Sequence, residues 1–584
     1  MIDKIKETID RGLREKVFNK EGEDDFEFRE GQREIVEQLT QSFFEDPNAT
    51  WIIDAPTGAG KSLIALWTSW VITQFNKRGY IITSDLGLQD QYERDIDERF
   101  LGYPSVKGAD NYNCDVNGQK FSLGECRLRN MSYEQAYNKL SCGKTCGYLS
   151  KRASAIRSQV SILNYPFWLI QRNYVEPRMI QREATIPFEK RDFTFFDEAH
   201  KIDEIVQSHF APIINIDMVS LIDNQLRYLS TNSVSKPNVD FKRVKEVIDN
   251  IQKSGHSGNL FNLINELRDI LYTILLHKKI LDKSVGKTYT QVGGKQMPKS
   301  LKTAYSRFDI MKDVHCKIDD YIELINDVGV DKMVVNKTEI HTKFMCIDES
   351  RMIQKYLHEQ SGFKVFMSAT IGNPNDYAKI MGITNAKVIS VPNKFSFKNS
   401  PIVYVDRHKL SFAHRDENLP KVVKILDKIL DRHKKHKGII HTGSYVFTNY
   451  IMENSRHAHN FINYEDSSGK RTALHHFTQS SNGILIGPSL IEGIDLKGDL
   501  SRFQIFLKVP YPNTQDKLTK AKFEHIPGWY DWKTSVSIMQ GSGRSIRSED
   551  DWAITYILDS CFWSLVRKPS LFPQSFKERI KIVD

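Results

Sequence analysis

The chain has 584 residues, 40% of them hydrophobic and 27% charged, which is typical of a folded protein of about two to four domains. Its net charge of +9 is compatible with a polyanionic partner, and it equally fits a protein that is merely basic. The chain has no apolar run of roughly 18 residues, no apolar signal core at its N-terminus and only seven cysteines, so we expect no membrane partner, no disulfide scaffold and a cytoplasmic, reducing compartment.

A glycine-rich loop between a predicted strand and a predicted helix is the first motif. Residues 51–53 are apolar, residues 55–62 read APTGAGKS, and apolar residues at helical spacing follow. In such a P-loop the glycines let backbone N–H groups surround phosphate, the lysine reaches the β- and γ-phosphates, and the serine ligates Mg²⁺. The predicted residues for binding ATP and Mg²⁺ here are Thr57, Gly58, Ala59, Gly60, Lys61 and Ser62.

Four of the seven cysteines are crowded into residues 111–147, with the spacing C-x11-C-x15-C-x3-C. Thiolates bind iron–sulfur clusters and zinc alike, so the residues leave both metals open, with free thiols as a third alternative. The candidate metal ligands are Cys114, Cys126, Cys142 and Cys146.

An acidic pair ends the next predicted strand, in residues 191–204, which read RDFTFFDEAHKIDE. The strand would bring Asp197 to Mg²⁺ and leave Glu198 to activate the attacking water. A solvated acidic patch is the alternative, but the P-loop upstream favours catalysis. We expect His200 to relay hydrolysis to other motifs rather than to form only a local hydrogen bond.

Helical spacing dominates the middle of the chain, with apolar residues recurring every three or four positions in residues 241–252 and 259–281. Further on, residues 540–547 read QGSGRSIR and place Arg544 and Arg547 three apart, on one face of a helix. These arginines either pair with acids or reach across a cleft to the γ-phosphate as arginine fingers do.

Together these motifs resemble superfamily 2 helicases of the iron–sulfur branch typified by XPD and DinG. FREGQREIV, with Arg29 and Gln32, resembles the family's adenine-side motif, and the resemblance covers nearly the whole chain except residues 215–345, where it is weakest. The other matching segments resemble motif Ia (81–95), motif III (367–372), motif IV (441–445), motif V (492–499) and motif VI (540–547).

The resemblance implies that the four cysteines hold a [4Fe–4S] cluster, although their last gap is shorter than is usual in the family, which keeps zinc open. It also implies that Gly493 and Asp495 belong to the nucleotide site, as do Arg29, Gln32 and His200. Finally, it implies that Gln540, Arg544 and Arg547 sense the γ-phosphate from a second motor domain.

The expected fold is α/β, with two RecA-like domains and with a cluster insertion and a helical arch insertion in the first. The expected boundaries are 1–110, 165–215 and 346–395 for the first RecA-like domain, 111–164 for the cluster domain, 216–345 for the arch and 396–584 for the second RecA-like domain.

The expected function is an ATP-dependent DNA helicase, a monomer that moves 5′→3′ along single-stranded DNA and unwinds forked DNA. Only the resemblance gives this polarity. The alternative is a DNA-stimulated translocase that remodels protein–DNA complexes without separating strands. A third reading, a binding module with a degenerate ATP site, is disfavoured because the motif residues are intact.

Overall fold

The computed structural model describes most of the chain and forms two parallel β-sheets, a helical unit and a small antiparallel sheet. The residues outside this description are 21–23, 57, 129–130, 132, 176–187, 233–235, 255–257, 290–297, 392–397, 406–407, 467–468, 489, 491–495, 497, 544, 546–550 and 584. In the part that is described, none of the helices combines the length and apolar character needed to cross a membrane.

Six parallel strands form the first sheet. They are β1 Thr50–Asp54, β2 Gly79–Thr83, β3 Val160–Asn164, β4 Phe193–Asp197, β8 Phe363–Ser368 and β9 Lys387–Ser390, in the spatial order β3-β2-β4-β8-β1-β9. Every residue of β2, β3, β4 and β8 is buried, because apolar runs such as these are covered on both faces in a parallel sheet. The strand β3 belongs to this sheet although it precedes residue 165, where the sequence places the return to the first RecA-like domain.

Seven strands form the second sheet, which is also parallel throughout. They are β10 Ile402–Val405, β11 Gly438–His441, β12 Phe461–Ile462, β13 Ile484–Gly487, β14 Phe503–Phe506, β15 Ile554–Ile557 and β16 Ile580–Val583, in the order β12-β13-β11-β14-β15-β10-β16. The two parallel sheets confirm the predicted α/β class. Each sheet with the helices packed on it is called a lobe below.

Helices connect the strands, as parallel sheets require. In chain order they are α1 Ile2–Arg14, α2 Gln32–Glu45, α3 Lys61–Thr73, α4 Leu86–Glu98, α5 Glu125–Leu128, α6 Tyr133–Lys139, α7 Gly147–Arg157, α8 Tyr165–Ile170, α9 Ile202–Phe210, α10 Met218–Thr231, α11 Phe241–Lys253, α12 Gly258–Tyr289, α13 Lys299–Val328, α14 Ser350–Ile353, α15 Pro374–Ile380, α16 Arg415–Arg432, α17 Tyr445–Asn454, α18 Gly469–Gln479, α19 Lys517–His525, α20 Trp529–Ser542, α21 Phe562–Val566 and α22 Gln574–Lys577.

The helices α10 to α13 form a helical unit with an apolar core of its own. The predicted apolar stripe of α11 is buried in that core, at Val244, Val247, Ile248 and Ile251. An antiparallel sheet lies at the base of the unit, with the strands β5 Ile213–Asn215, β6 Met333–Lys337 and β7 His341–Cys346 in the order β5-β7-β6. The apolar side of α19, from the second lobe, packs against this base.

Candidate nucleotide site and cysteine segment

The P-loop connects the end of β1 to the start of α3. Gly58 has φ of 86° and Gly60 has φ of 78°, a left-handed conformation that side chains other than glycine rarely adopt. A Cβ on Gly60 would lie 2.1 Å from Nε2 of Gln32, so the loop and this glutamine occupy adjoining space. The predicted residue Thr57 lies outside the described part of the chain.

Two side chains hold this loop, that of Arg29, which lies just before α2, and that of Gln32, the first residue of α2. Nε2 of Gln32 donates a hydrogen bond to the carbonyl of Ala59 at 2.8 Å, and Oε1 of Gln32 accepts one from the backbone N–H of Arg29 at 2.8 Å. The Arg29 guanidinium donates to the carbonyl of Gly58. Lys61 donates from Nζ to the carbonyl of Ala55 at 3.1 Å, at the start of the same loop. The structure therefore brings these predicted residues together.

The acidic pair lies at the carboxyl end of β4, next to the P-loop. Asp197 is buried, and its carboxylate accepts hydrogen bonds of 2.9 Å from the Tyr92 hydroxyl and from the backbone N–H of Glu198. Glu198 has φ of 50°, which turns the chain sharply as the strand ends. Carboxylates at the end of a parallel strand, opposite a P-loop, are suited to hold Mg²⁺ and to orient water.

The two carboxyl groups differ in their electrostatic surroundings. Burial, reinforced by the neighbouring charge of Glu198, raises the pKa of Asp197 to about 6, whereas Lys61 and the Tyr92 hydroxyl act in the opposite direction. Burial would also raise the pKa of Glu198, but the hydrogen bond and charge of His200, together with Lys61, bring that pKa below its usual range. Glu198 therefore stays ionised throughout the neutral pH range, as a general base must.

His200 joins three segments of the chain. Nε2 of His200 is within hydrogen-bond distance of the Gln540 amide, and Nδ1 lies 2.7 Å from Oγ of Ser368 and 3.2 Å from Oε2 of Glu198. Gln540 lies on α20 of the second lobe, whereas Ser368 ends β8 of the first. The histidine is thus more than a local hydrogen-bond partner, because it connects the acidic pair to the other lobe.

Four of the predicted nucleotide-site residues of the second lobe, namely Gly493, Asp495, Arg544 and Arg547, lie outside the described residues. Ser62 lies in the first turn of α3, directly after the P-loop.

The cysteine segment forms a small apolar subdomain against the first lobe. Cys114, Cys126 and Cys146 are buried and Cys142 is half-buried. Burial raises the pKa of the Cys142 thiol, and the neighbouring Cys146 and Cys114 raise it further. The backbone supports this grouping, since the N–H of Cys146 donates to the carbonyl of Cys142 at 2.7 Å.

The chemistry of four thiols fits an iron–sulfur cluster or zinc, because both take thiolate ligands. Across the described residues, no set of three or more His, Cys, Asp or Glu side chains stands in the arrangement of a metal site. The four thiols nonetheless supply donors that suit either group.

Comparisons with known proteins agree with this geometry. Residues 25–220 match the family described as type III restriction enzyme, res subunit, and residues 428–579 match the helicase C-terminal domain. The chain is 22% identical to the ATP-dependent DNA helicase YoaA of Escherichia coli, over 93% of this chain and 92% of that protein. It is also 22% identical to the ATP-dependent DNA helicase XPD of Sulfolobus acidocaldarius, over 92% of this chain and 98% of that protein.

The fold agrees as well. The structure of S. tokodaii Xpd4 superposes with a TM-score of 0.58 at 16% identity and covers 95% of this chain and 100% of that one. The chain belongs to the XPD/DinG-like family of superfamily 2 helicases.

Two groups in this XPD/DinG-like site are missing from the sequence predictions. Tyr92 contacts Asp197 from α4, and nothing in its local sequence distinguishes it from a core tyrosine. Asp54 ends β1, and burial raises its pKa to about 6 although Lys61 opposes the shift. Its carboxylate accepts a hydrogen bond from the backbone N–H of Ile371 at 3.4 Å. An acid that ends the strand before a P-loop is the signal by which Asp54 could have been found.

Proposed function

We propose that this protein is an ATP-dependent DNA helicase that moves along single-stranded DNA and separates the strands of a duplex. The observation that carries the proposal is the contact of His200 with both Glu198 and Gln540, because it links the hydrolytic carboxylate of one lobe to the other lobe. Two relatives that span nearly the whole chain, YoaA and XPD, are named as ATP-dependent DNA helicases, which supports DNA as the substrate.

Hydrolysis would use the residues around the P-loop. Lys61 and the loop N–H groups bind the phosphates, and Ser62 and Asp197 hold Mg²⁺, which when bound neutralises charge on the β- and γ-phosphates. Glu198, which is ionised, accepts a proton from the attacking water. Gln540 senses this event through His200, and Arg544 and Arg547 complete the γ-phosphate contacts from the second lobe.

Lobe movement would then be coupled to DNA. Closing and reopening of the cleft in each ATP cycle alternates the grip of the two lobes on a single strand, which advances it stepwise. The family resemblance supports 5′→3′ movement and a monomer as the working unit. It also supports the division of the chain into RecA-like domains (1–110, 165–215, 346–395 and 396–584), a cluster domain (111–164) and a helical arch (216–345). The strand β3, Val160–Asn164, is assigned to the first RecA-like domain instead of the cluster domain because it pairs with β2.

The cysteine segment would hold a [4Fe–4S] cluster through Cys114, Cys126, Cys142 and Cys146, with structural zinc as the alternative. When bound, such a group stabilises a small domain by cross-linking distant segments. The four cysteines of one short segment, three of them buried, and the family resemblance support this assignment.

ATP hydrolysis with and without single-stranded DNA tests the proposal. We expect hydrolysis to rise when DNA is added, and we expect Lys61→Ala to abolish it because the β- and γ-phosphates lose their cation. DNA-stimulated hydrolysis that persists in Lys61→Ala would contradict the site. Hydrolysis without strand release would instead favour a translocase that remodels protein–DNA complexes.

A further inference from the structure

A buried ion pair crosses between the lobes close to the nucleotide site. Nζ of Lys533, on α20, lies 3.4 Å from both carboxylate oxygens of Asp203 and 2.7 Å from Oε1 of Glu204, both on α9. The Asp203 side chain is 0% exposed and that of Lys533 is 13% exposed. Burial alone would raise the pKa of Asp203, but the charge of Lys533 lowers it, so the carboxylate is ionised although it is buried.

The Lys533–Asp203 pair joins the same two parts of the molecule as the contact between His200 and Gln540. Lys533 and Gln540 are seven residues apart on α20, which is about two helical turns, so both project from the same face. Asp203 and His200 are three residues apart on the first lobe, at the start of α9. Two contacts about 10 Å apart along α20 fix both its sliding and its rotation against the first lobe, whereas one contact would leave the rotation free.

The other contacts of this helix do not specify its register in the same way. The Trp532 indole N–H donates to the carbonyl of Ile371 at 2.8 Å, and the Trp532 ring packs beside Gly372. A shift of α20 would break this neutral hydrogen bond, and it would also leave the buried charges of Lys533 and Asp203 without their partners, which costs more free energy. A complete buried ion pair adds little net stability, whereas the loss of one partner is strongly destabilising.

We propose that Lys533 and Asp203 are positioning residues that set the register of α20, so that Gln540 meets His200 when the lobes close on ATP. The inference rests on the proposed function and deepens it, because it names the contact that carries the state of the nucleotide site to the second lobe. Neither residue touches nucleotide. They act through Gln540.

The test is a double-mutant cycle on DNA-stimulated ATP hydrolysis, with Lys533→Met, Gln540→Ala and the two combined. We expect Lys533→Met to lower kcat about tenfold, since displacing a hydrogen-bonded group at a reacting centre has effects of this size or larger. ADP affinity should stay within about twofold, because the P-loop belongs to the first lobe. The double variant should hydrolyse ATP no more slowly than Gln540→Ala, because both changes remove one function.

The matched control is Lys520→Met, on α19 of the same lobe, where the lysine is exposed and 4.0 Å from Glu524. It should leave kcat unchanged. Asp203→Asn enters the same cycle from the other lobe and replaces Lys533→Met if that variant does not fold.

Losses that multiply in the double variant would overturn the inference, as would an unchanged kcat in Lys533→Met and Asp203→Asn. If the wild type hydrolyses ATP and Lys61→Ala does not, either of these two results would overturn the inference about Lys533 and Asp203 but leave the proposed function intact. If ATP hydrolysis by the wild type does not depend on Lys61, both the proposed function and this inference are wrong.

Discussion

A second buried ion pair, between Lys522 and Glu349, lies where the lobes meet, and the stability of a variant that lacks Lys522 should depend on pH. Lys522 of α19 lies 2.5 Å from Oε1 of Glu349, and their side chains are 4% and 2% exposed. Burial raises the pKa of Glu349 to about 7, an effect that the Asp203 charge increases and the Lys522 charge reduces. Replacing Lys522 by methionine keeps the length of the side chain and removes the charge that favours ionised Glu349.

Proton linkage gives the direction and the size of this change in the free energy of unfolding with pH. Because Glu349 binds its proton more tightly in the folded protein, its contribution to stability is complete below about pH 4.5 and is lost as the pH rises through about 7. Without the charge of Lys522, the pKa of Glu349 in the folded protein moves higher. The free energy of unfolding therefore continues to fall through pH 8, by about 1 kcal/mol for each pH unit. The difference in the free energy of unfolding between Lys522→Met and the wild type should therefore grow by about 1 kcal/mol between pH 6 and pH 8.

Urea unfolding followed by tryptophan fluorescence measures this difference, since the Trp529 ring lies 4.9 Å from Nζ of Lys522. Lys520→Met on the same helix is the control, and it should show no such trend. A destabilisation of Lys522→Met that is equal at pH 6 and pH 8 would refute the reasoning, because it would mean that Glu349 does not titrate between these values.

Two further predictions concern the P-loop and the cysteines. Gly60→Ala should weaken ADP binding about tenfold or more in calorimetry, because its Cβ would displace Gln32 from the loop. Gly31→Ala has the same φ of 78°, and beyond its two chain neighbours no atom lies within 4 Å of its Cβ, so it should leave ADP binding unchanged. An equal loss of ADP affinity in Gly60→Ala and Gly31→Ala would mean that backbone strain, and not the contact with Gln32, causes the effect. Protein purified without oxygen should contain about four irons per chain and absorb visible light. Cys142→Ser should lower both values and the half-buried Cys561→Ser should not, whereas one zinc without colour would contradict the cluster.

The strands of the lobes and the P-loop could be predicted because their signals are local. A buried parallel strand is a short apolar run, as in residues 193–196, and a P-loop needs glycine where φ is positive, as at Gly58 and Gly60. An acid that ends such a strand, as Asp197 does, falls next to the loop because the carboxyl ends of parallel strands share one edge.

The contacts between lobes could not be predicted from the same signals. Lys533 and Asp203 are 330 residues apart, and a lysine on a helix is usually solvated, so the sequence does not reveal which acid it meets. Tyr92 is similar, because its role depends on how α4 packs against β2 and β3 rather than on its neighbours in the chain. The positions of the motifs predict a boundary at residue 165 and leave β3 in the cysteine segment, whereas its pairing with β2 makes it part of the first sheet.

The most direct test of the proposed activity is strand displacement from a duplex that carries a single-stranded 5′ tail, with ATP and Mg²⁺ present. We predict that the wild type releases the strand, that Lys61→Ala does not, and that a duplex with only a 3′ tail is a poor substrate. ATP hydrolysis stimulated by DNA with no strand released from either substrate would contradict the helicase assignment.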